Sequence, residues 1–242
     1  MGYKPKVKLD AGHGGKDTGA VGNGLIEKDL NLAIVLEAER LLLPYDVEVS
    51  LTRREDIYLF PDERTARALE GDPDLCISVH HNFAGTPAAR GSEVIHCYSD
   101  KEDDVFATFF LDEMKKLGFP TRRSFYYLNA QGKDYFYMIR RIADHNTHAV
   151  ITEGGFLSNL EDAKLLSKPE IISGEAQAIV TSAIKFLNLQ LKPVVRKNHW
   201  SDPYFKKLKD KGVLDSPHDP ESFVKWGEFS KTLSDVYDAI RK

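Results

Sequence analysis

Lys6-Val7-Lys8-Leu9-Asp10-Ala11-Gly12-His13-Gly14-Gly15 is the stretch on which the reading of this 242-residue chain turns. Lys6 to Ala11 alternates and then becomes apolar, the pattern of a strand entering a core. Glycines on either side of His13 permit backbone angles and close approaches that other residues forbid. The glycine-rich passage then runs to Glu27, where the period changes. Leu30, Ala33, Ile34, Ala38, Leu41 and Leu42 recur at three and four, one face of a helix that stops before Pro44. The reading is a buried strand, a histidine on an open loop and a carboxylate at a helix start.

Beyond this unit the same alternation continues. Val47 to Leu51 reads as a strand closed by Thr52-Arg53, and Pro61 to Leu69 as a short helix carrying Arg64 and Arg67. Leu75 to Val79 is nearly all apolar, as in a parallel strand buried on both faces, and it delivers Ser78, His80, His81 and Asn82 at its end. Gly91 to Tyr98 is a further strand, and Asp103 to Leu117 an amphipathic helix. Residues 124–142 are rich in aromatics and read as loop plus strand. A last strand from Ala149 ends at Glu153-Gly154-Gly155, Ser158 caps the next helix, and Ile171 to Leu187 forms a long final one. Strands alternating with helices predict an α/β fold with a mostly parallel sheet flanked by helices on both faces.

The tail departs from this pattern. The expected division is a main domain over 1–189, a linker over 190–197 around Pro193, and a small helical C-terminal domain over 198–242. In the last, Asp202-Pro203 opens a helix with Tyr204, Phe205 and Leu208 that Gly212 stops. A second helix carries Trp226, Phe229, Leu233, Val236 and Ile240 at helical spacing. So short a piece is small for independent stability.

Composition excludes several classes. A net charge of -4 leaves no basic footprint for nucleic acid. No apolar run approaches the roughly 20 residues of a membrane span. Met1-Gly2 is followed by Lys6 where a myristoylation motif needs Ser or Thr. No apolar leader precedes the first strand, so no cleaved signal peptide is expected. Cys76 and Cys97, both in expected core strands, are predicted to be free buried thiols, which fits a reducing cytoplasm.

In open parallel sheets, ligands sit at the carboxyl ends of strands, and here three strands end near His13, His80 and Glu153. A hydrolytic zinc site takes three protein ligands from His, Asp or Glu and keeps a fourth position for water. His13, Glu27 and His80 supply two histidines and one carboxylate. Taken singly, His13 reads equally as a turn residue, Glu27 as a carboxylate favoured by the helix dipole, one of His80 and His81 as a satisfied core histidine, and Glu153 as the partner of an arginine such as Arg64. Taken together, those readings require four coincidences at one edge of one sheet. Burial of Glu153 would raise its pKa and let it carry a proton from water to a leaving amine.

The motifs also carry a resemblance. Asp10 to Gly15, Glu27 to Leu32, Leu51-Thr52-Arg53, Arg64, Ser78 to Asn82 and Glu153 to Asn159 occur in the order found in zinc-dependent N-acetylmuramoyl-L-alanine amidases of the type-3 family, which cleave peptidoglycan. The resemblance spans roughly residues 5 to 188. It implies a mixed-sheet α/β fold and hydrolysis of the amide joining the muramoyl lactyl group to L-alanine. It puts the metal ligands at His13, Glu27 and His80 and the catalytic carboxylate at Glu153. The family's Ser-x-His-x-Asn pattern selects His80 over His81, which stands where the family often has a small or polar residue and either touches substrate or has no role. Tyr126, Tyr127, Tyr135 and Arg140 either line a glycan or stem-peptide groove or pack in the core.

The tail from His199 through Trp226 resembles a single degenerate S-layer-homology repeat. Such modules anchor proteins to secondary cell-wall polymers; with one repeat, wall binding, dimerisation and simple packing all stay open. A wall substrate without an export signal leads to the expectation of a bacteriolytic, antimicrobial phage-type endolysin, stored in the cytoplasm and released through holin-made holes. A host autolytic or mother-cell lytic amidase, and a wall-binding protein without activity, are the alternatives.

Overall fold

A computed structural model describes residues 3–100, 102–192, 202–212, 229–231, 234 and 236–238. The chain runs β1 (Lys6–Ala11), β2 (Val21–Gly22), β3 (Leu25–Ile26), α1 (Glu27–Leu42), β4 (Glu48–Leu51), α2 (Pro61–Leu69) and β5 (Leu75–Asn82). It continues through β6 (Ser92–His96), α3 (Asp103–Lys116), β7 (Thr121–Phe125), α4 (Tyr137–Ala143), β8 (His148–Phe156), α5 (Leu160–Leu166), α6 (Pro169–Leu187) and α7 (Asp202–Asp210). Six strands form one sheet in the order β4-β1-β5-β8-β6-β7, and β2 and β3 form a separate antiparallel ribbon. Every neighbouring pair in the large sheet is parallel except β6 with β8. The fold is the expected α/β one, with a mixed, mostly parallel sheet and helices on both faces.

Side chains alternate across a strand, so each strand of the sheet feeds two cores. Leu75, Ile77 and Val79 of β5 pack with Ile34 and Ala38 of α1, Phe106 and Phe110 of α3, and Ile179 of α6. Cys76 of β5, with Ala149 and Ile151 of β8, packs on the other face against Ala68 of α2 and Met138, Ile139 and Ile142 of α4. Cys76 and Cys97 are both buried and unpaired. Among the described residues no helix is long and apolar enough to cross a membrane.

Three local expectations are corrected. The helix α4 stands where strand was expected in 124–142: Met138, Ile139 and Ile142 have helical spacing, which the neighbouring aromatics obscure in the sequence. The cap of α5 is Asn159, whose side chain accepts from the backbone N–H groups of Glu161 and Asp162, while Ser158 Oγ accepts from Ala84 N. Strand β5 extends through His80, His81 and Asn82 instead of stopping before them.

The chain divides into two units, Met1–Lys192 and Pro193–Lys242. Residues 190–192 are tied to the first, since Asp46 N donates to Gln190 O, Lys192 N donates to Pro44 O, and Leu191 bridges Tyr45. In the second unit α7 presents exposed Tyr204 and Leu208, and Gly212 follows it with a φ of +67°. Phe229 and Val236 lie in helical backbone. Most of the expected linker and Trp226, Leu233 and Ile240 lie outside the described residues.

At the amino end of β8, His148 Nδ1 lies 2.7 Å from Asp100 and 3.0 Å from the fully buried Asp103. The hydrogen bond to Asp103, helped by the charge of Asp100, raises the imidazole's pKa to about 9 against the pull of burial. A folded pKa above the unfolded value of about 6.5 means that this stabilisation is complete below that pH and is lost as pH rises through 9. The urea midpoint should therefore fall between pH 6.5 and 9.5 in the native chain, and fall less steeply in His148→Gln.

Candidate metal centre

His13 leaves β1 on a backbone that L-residues rarely adopt, with φ of +60°, followed by Gly14 at +135° and Gly15 at +57°. Two buried arginines hold this turn by its carbonyls. Arg53 donates to Ala11 O at 2.9 Å and Gly12 O at 3.0 Å, and Arg64 donates to Ala11 O at 2.7 Å and His13 O at 2.6 Å. Arg64 also meets Asp10 at 2.7 Å, and Ser78 Oγ and Thr52 Oγ1 donate to the same carboxylate. The alternative that Arg64 pairs with Glu153 is thereby overturned: Arg64 belongs to Asp10, beneath the loop.

Above the loop the three expected ligands converge. Glu27 Oε1 lies 3.2 Å from His13 Nε2 and 3.0 Å from His80 Nδ1. The carboxylate is held in this orientation by Ala20 N on Oε2 at 2.8 Å and by His81 N on Oε1 at 3.0 Å. Asp17 Oδ2, 3.0 Å from His13 Nδ1, fixes the other side of that ring. Burial alone would raise the pKa of Glu27, but hydrogen bonds to the two imidazoles carry it well below the usual carboxylate range. For His13 the pull of burial is likewise outweighed, by Glu27 and then Asp17, and the net shift is upward.

Two glycines make room for the cluster. A Cβ on Gly12 would lie 2.3 Å from the His80 ring, and one on Gly19 would lie 2.5 Å from both Glu27 Oε2 and His13 Cδ2. Two imidazole nitrogens and one carboxylate oxygen, all within 4.8 Å of one another, match the donor set of a hydrolytic zinc site.

Glu153 sits beside His80 in the register of β5 and β8, and opposite Glu93 of β6. Its Oε2 is out of solvent contact and has no hydrogen-bond partner. Burial, then the charges of Glu27, Glu93 and Glu175, push its pKa well above the ordinary range. Glu93 differs in being neutralised, by Arg122 at 2.8 Å and Arg123 at 3.0 Å. Glu153 lines a cavity of about 480 Å³ with His13, Glu27, His80, Val21 and Phe83. A second cavity of about 460 Å³ shares His13 and His80 and is walled by Tyr58, Arg64, Tyr135, Phe136 and Tyr137. Of the aromatic stretch, Tyr135, Phe136 and Tyr137 therefore reach the site, whereas Tyr126 and Tyr127 do not line either cavity and Arg140 braces the carbonyls of Asp134 and Tyr135.

The sequence profile of the N-acetylmuramoyl-L-alanine amidase family matches residues 7–185. The chain belongs to that family. An endolysin of Bacillus phage SPP1 is 31% identical over 194 residues, covering 77% of this chain and 67% of its own. A germination-specific N-acetylmuramoyl-L-alanine amidase of Bacillus subtilis is 26% identical, over 74% of this chain and 78% of its own. The catalytic domain of the amidase CwlV from Bacillus (Paenibacillus) polymyxa superposes with a TM-score of 0.67 at 30% identity, covering 77% of this chain and 99% of that one. Membership gives the reaction class, hydrolysis of an amide in peptidoglycan. The family match ends at 185, so the tail's likeness to an S-layer-homology repeat has no support beyond its own sequence.

Sequence reading missed four residues around the amidase centre: Asp17, Asn31, Glu93 and Glu175. Asn31 had a signal, since it lies one turn after Glu27 on the same helix face. So did Glu175, an acid inside the apolar stripe of α6. Beneath the loop, Asp10→Asn should lower the unfolding free energy by about 3–5 kcal/mol, because it leaves the buried guanidinium of Arg64 uncompensated. Urea denaturation measures the loss.

Proposed function

We propose that the chain is a zinc-dependent N-acetylmuramoyl-L-alanine amidase acting as a phage-type endolysin. The observation that carries the mechanism is Glu153 Oε2, buried and unpartnered in the same cavity as His13, Glu27 and His80. His13 Nε2, Glu27 Oε1 and His80 Nδ1 would hold the zinc. Bound there, zinc supplies Lewis acidity, polarising the scissile carbonyl and bringing the pKa of a water to about 7.

Glu153 is the proton carrier. Its Oε2 takes a proton from the attacking water as the C–O bond to the carbonyl carbon forms, and returns it to the departing nitrogen of L-alanine as the C–N bond then breaks. Burial and the neighbouring carboxylates raise its proton affinity above that of an ordinary carboxylate, which suits a group that holds a proton between the two steps. Glu27 cannot share the task, because both of its oxygens are committed and its pKa is held low. The cavity walled by Tyr58, Tyr135 and Phe136 supplies apolar surface for a bulky substrate beside the reacting atoms.

Similarity to the phage SPP1 endolysin supports a lytic role after release from the cytoplasm. Similarity to germination- and sporulation-specific amidases of Bacillus subtilis supports a host wall-remodelling enzyme as the second reading. The tail's resemblance to a wall-anchoring repeat is the support for a further contact with cell-wall polymers. Mass spectrometry of digested peptidoglycan tests the bond: new ends between muramic acid and L-alanine are expected, and cuts within the peptide or glycan refute the reading. Glu153→Gln should retain zinc and fold yet lose roughly 100- to 10,000-fold in wall-clearing rate, and wild-type lysis by this variant would remove Glu153 from the mechanism.

A further inference from the structure

The proton-transfer scheme leaves one buried polar chain unused, behind the metal centre. His80 and His81 are consecutive in β5, and strand alternation sends them to opposite faces. His80 faces the metal site. The His81 side chain is fully buried in the helical layer, with Nδ1 2.9 Å from Asn31 Oδ1 of α1 and Nε2 3.3 Å from Glu175 Oε2 of α6. Asn31 Nδ2 in turn points at Gly12 O, 3.2 Å away, and at Glu27 Oε1, 3.4 Å away.

The orientations interlock. Both atoms near Asn31 Nδ2 are acceptors, so the amide nitrogen must face them and the amide oxygen must face His81. His81 Nδ1 is then a donor. The reverse amide orientation would set an oxygen against the Glu27 carboxylate. Glu175 completes the chain from an improbable position: its side chain has no exposure, and its Oε1 has no hydrogen-bond partner. Space for it depends on Gly154, where a Cβ would lie 2.2 Å from that oxygen. A carboxylate in an apolar layer costs stability that a leucine would not.

We propose that Glu175 and His81 are positioning residues for Glu27, acting through Asn31, and that this relay sets how tightly the centre holds zinc. The proposal rests on the reading of His13, Glu27 and His80 as zinc ligands. Glu175 anchors the His81 ring, the ring fixes the Asn31 amide, and the amide holds Oε1 of Glu27 between the two ligand imidazoles. Outer partners of metal ligands commonly change metal affinity 10- to 100-fold when removed.

The test is zinc affinity of the purified full chain, measured by competition with a chromophoric chelator, alongside urea denaturation of the metal-free protein. Asn31→Ala and Glu175→Leu should each weaken zinc binding about 10- to 100-fold. Glu175→Leu should also lower the metal-free urea midpoint, because His81 stays buried and loses its partner at Nε2, whereas the double variant His81→Leu/Glu175→Leu removes both partners and should recover much of that midpoint. In that double variant zinc affinity should stay weakened while stability recovers, so the two move apart, which a purely structural role for the pair would not produce. Glu175→Gln can still hydrogen-bond His81 Nε2 and should return affinity close to wild type. The cobalt-substituted Asn31→Ala protein should show shifted d–d bands.

Should Asn31→Ala not fold, the two Glu175 variants carry the test alone. Wild-type affinity in Glu175→Leu, with one zinc bound by the native chain, overturns the relay and leaves the amidase reading standing. A native chain that binds no zinc overturns both.

Discussion

The fold of the site depends on a buried ion pair that offers no metal-ligating atom of its own. Asp10 and Arg64 meet under the loop that carries His13, and Arg64 with Arg53 takes up the carbonyls of Ala11, Gly12 and His13. A non-glycine residue at positive φ stores strain of order 1–3 kcal/mol, and it persists only where surrounding contacts over-determine it. The two guanidinium groups supply that over-determination. Arginine suits the task because its planar fork of donors can serve several carbonyls at once, which a lysine ammonium on a flexible stem does less well.

Charge is distributed around the centre so that one carboxylate stays available. Glu27 is bracketed by two imidazoles, Glu93 by Arg122 and Arg123, and Glu175 by His81. Glu153 has no such partner at Oε2. The same buried environment therefore pushes Glu27 and Glu153 in opposite directions, and carboxyl groups whose pKa values are driven apart take different roles in acid–base chemistry. The three neutralised acids also act on Glu153 as a field, each raising its proton affinity.

What was legible in the sequence follows period and chain proximity. The run Lys6–Ala11, the helical stripe from Leu30 to Leu42 and the continuous apolar run in β5 each declare themselves within a few residues, and the structure has them as strand, helix and strand. The His13, Glu27, His80 and Glu153 cluster could be assembled because His13, His80 and Glu153 lie towards the carboxyl ends of strands and Glu27 opens a helix, the edge where an α/β sheet gathers its ligands. What stayed hidden depends on partners far along the chain. Glu175 meets His81 across a separation of 94 residues, and nothing in the spacing of either reveals the other. Helix α4 was hidden for a different reason: aromatics around it suit a strand equally well, and only the packing of Met138, Ile139 and Ile142 on Ala68 decides the period.

The period of two in a strand divides chemistry from its support. His80 and Glu153 are neighbours in register on one face, while His81 and Gly154, one step further along the same two strands, turn to the layer of α1 and α6. A histidine on that hidden face demands polar company, and Asn31 and Glu175 provide it. Gly154 is then constrained from behind by Glu175, as Gly12 is constrained by the His80 ring in front. A one-residue slip of β5 would exchange the two histidines and send His80, a proposed ligand, into the helical core. The rest of the strand opposes that slip, because Ile77 and Val79 would leave the layer of α1 and α6 and Ser78 would lose Asp10.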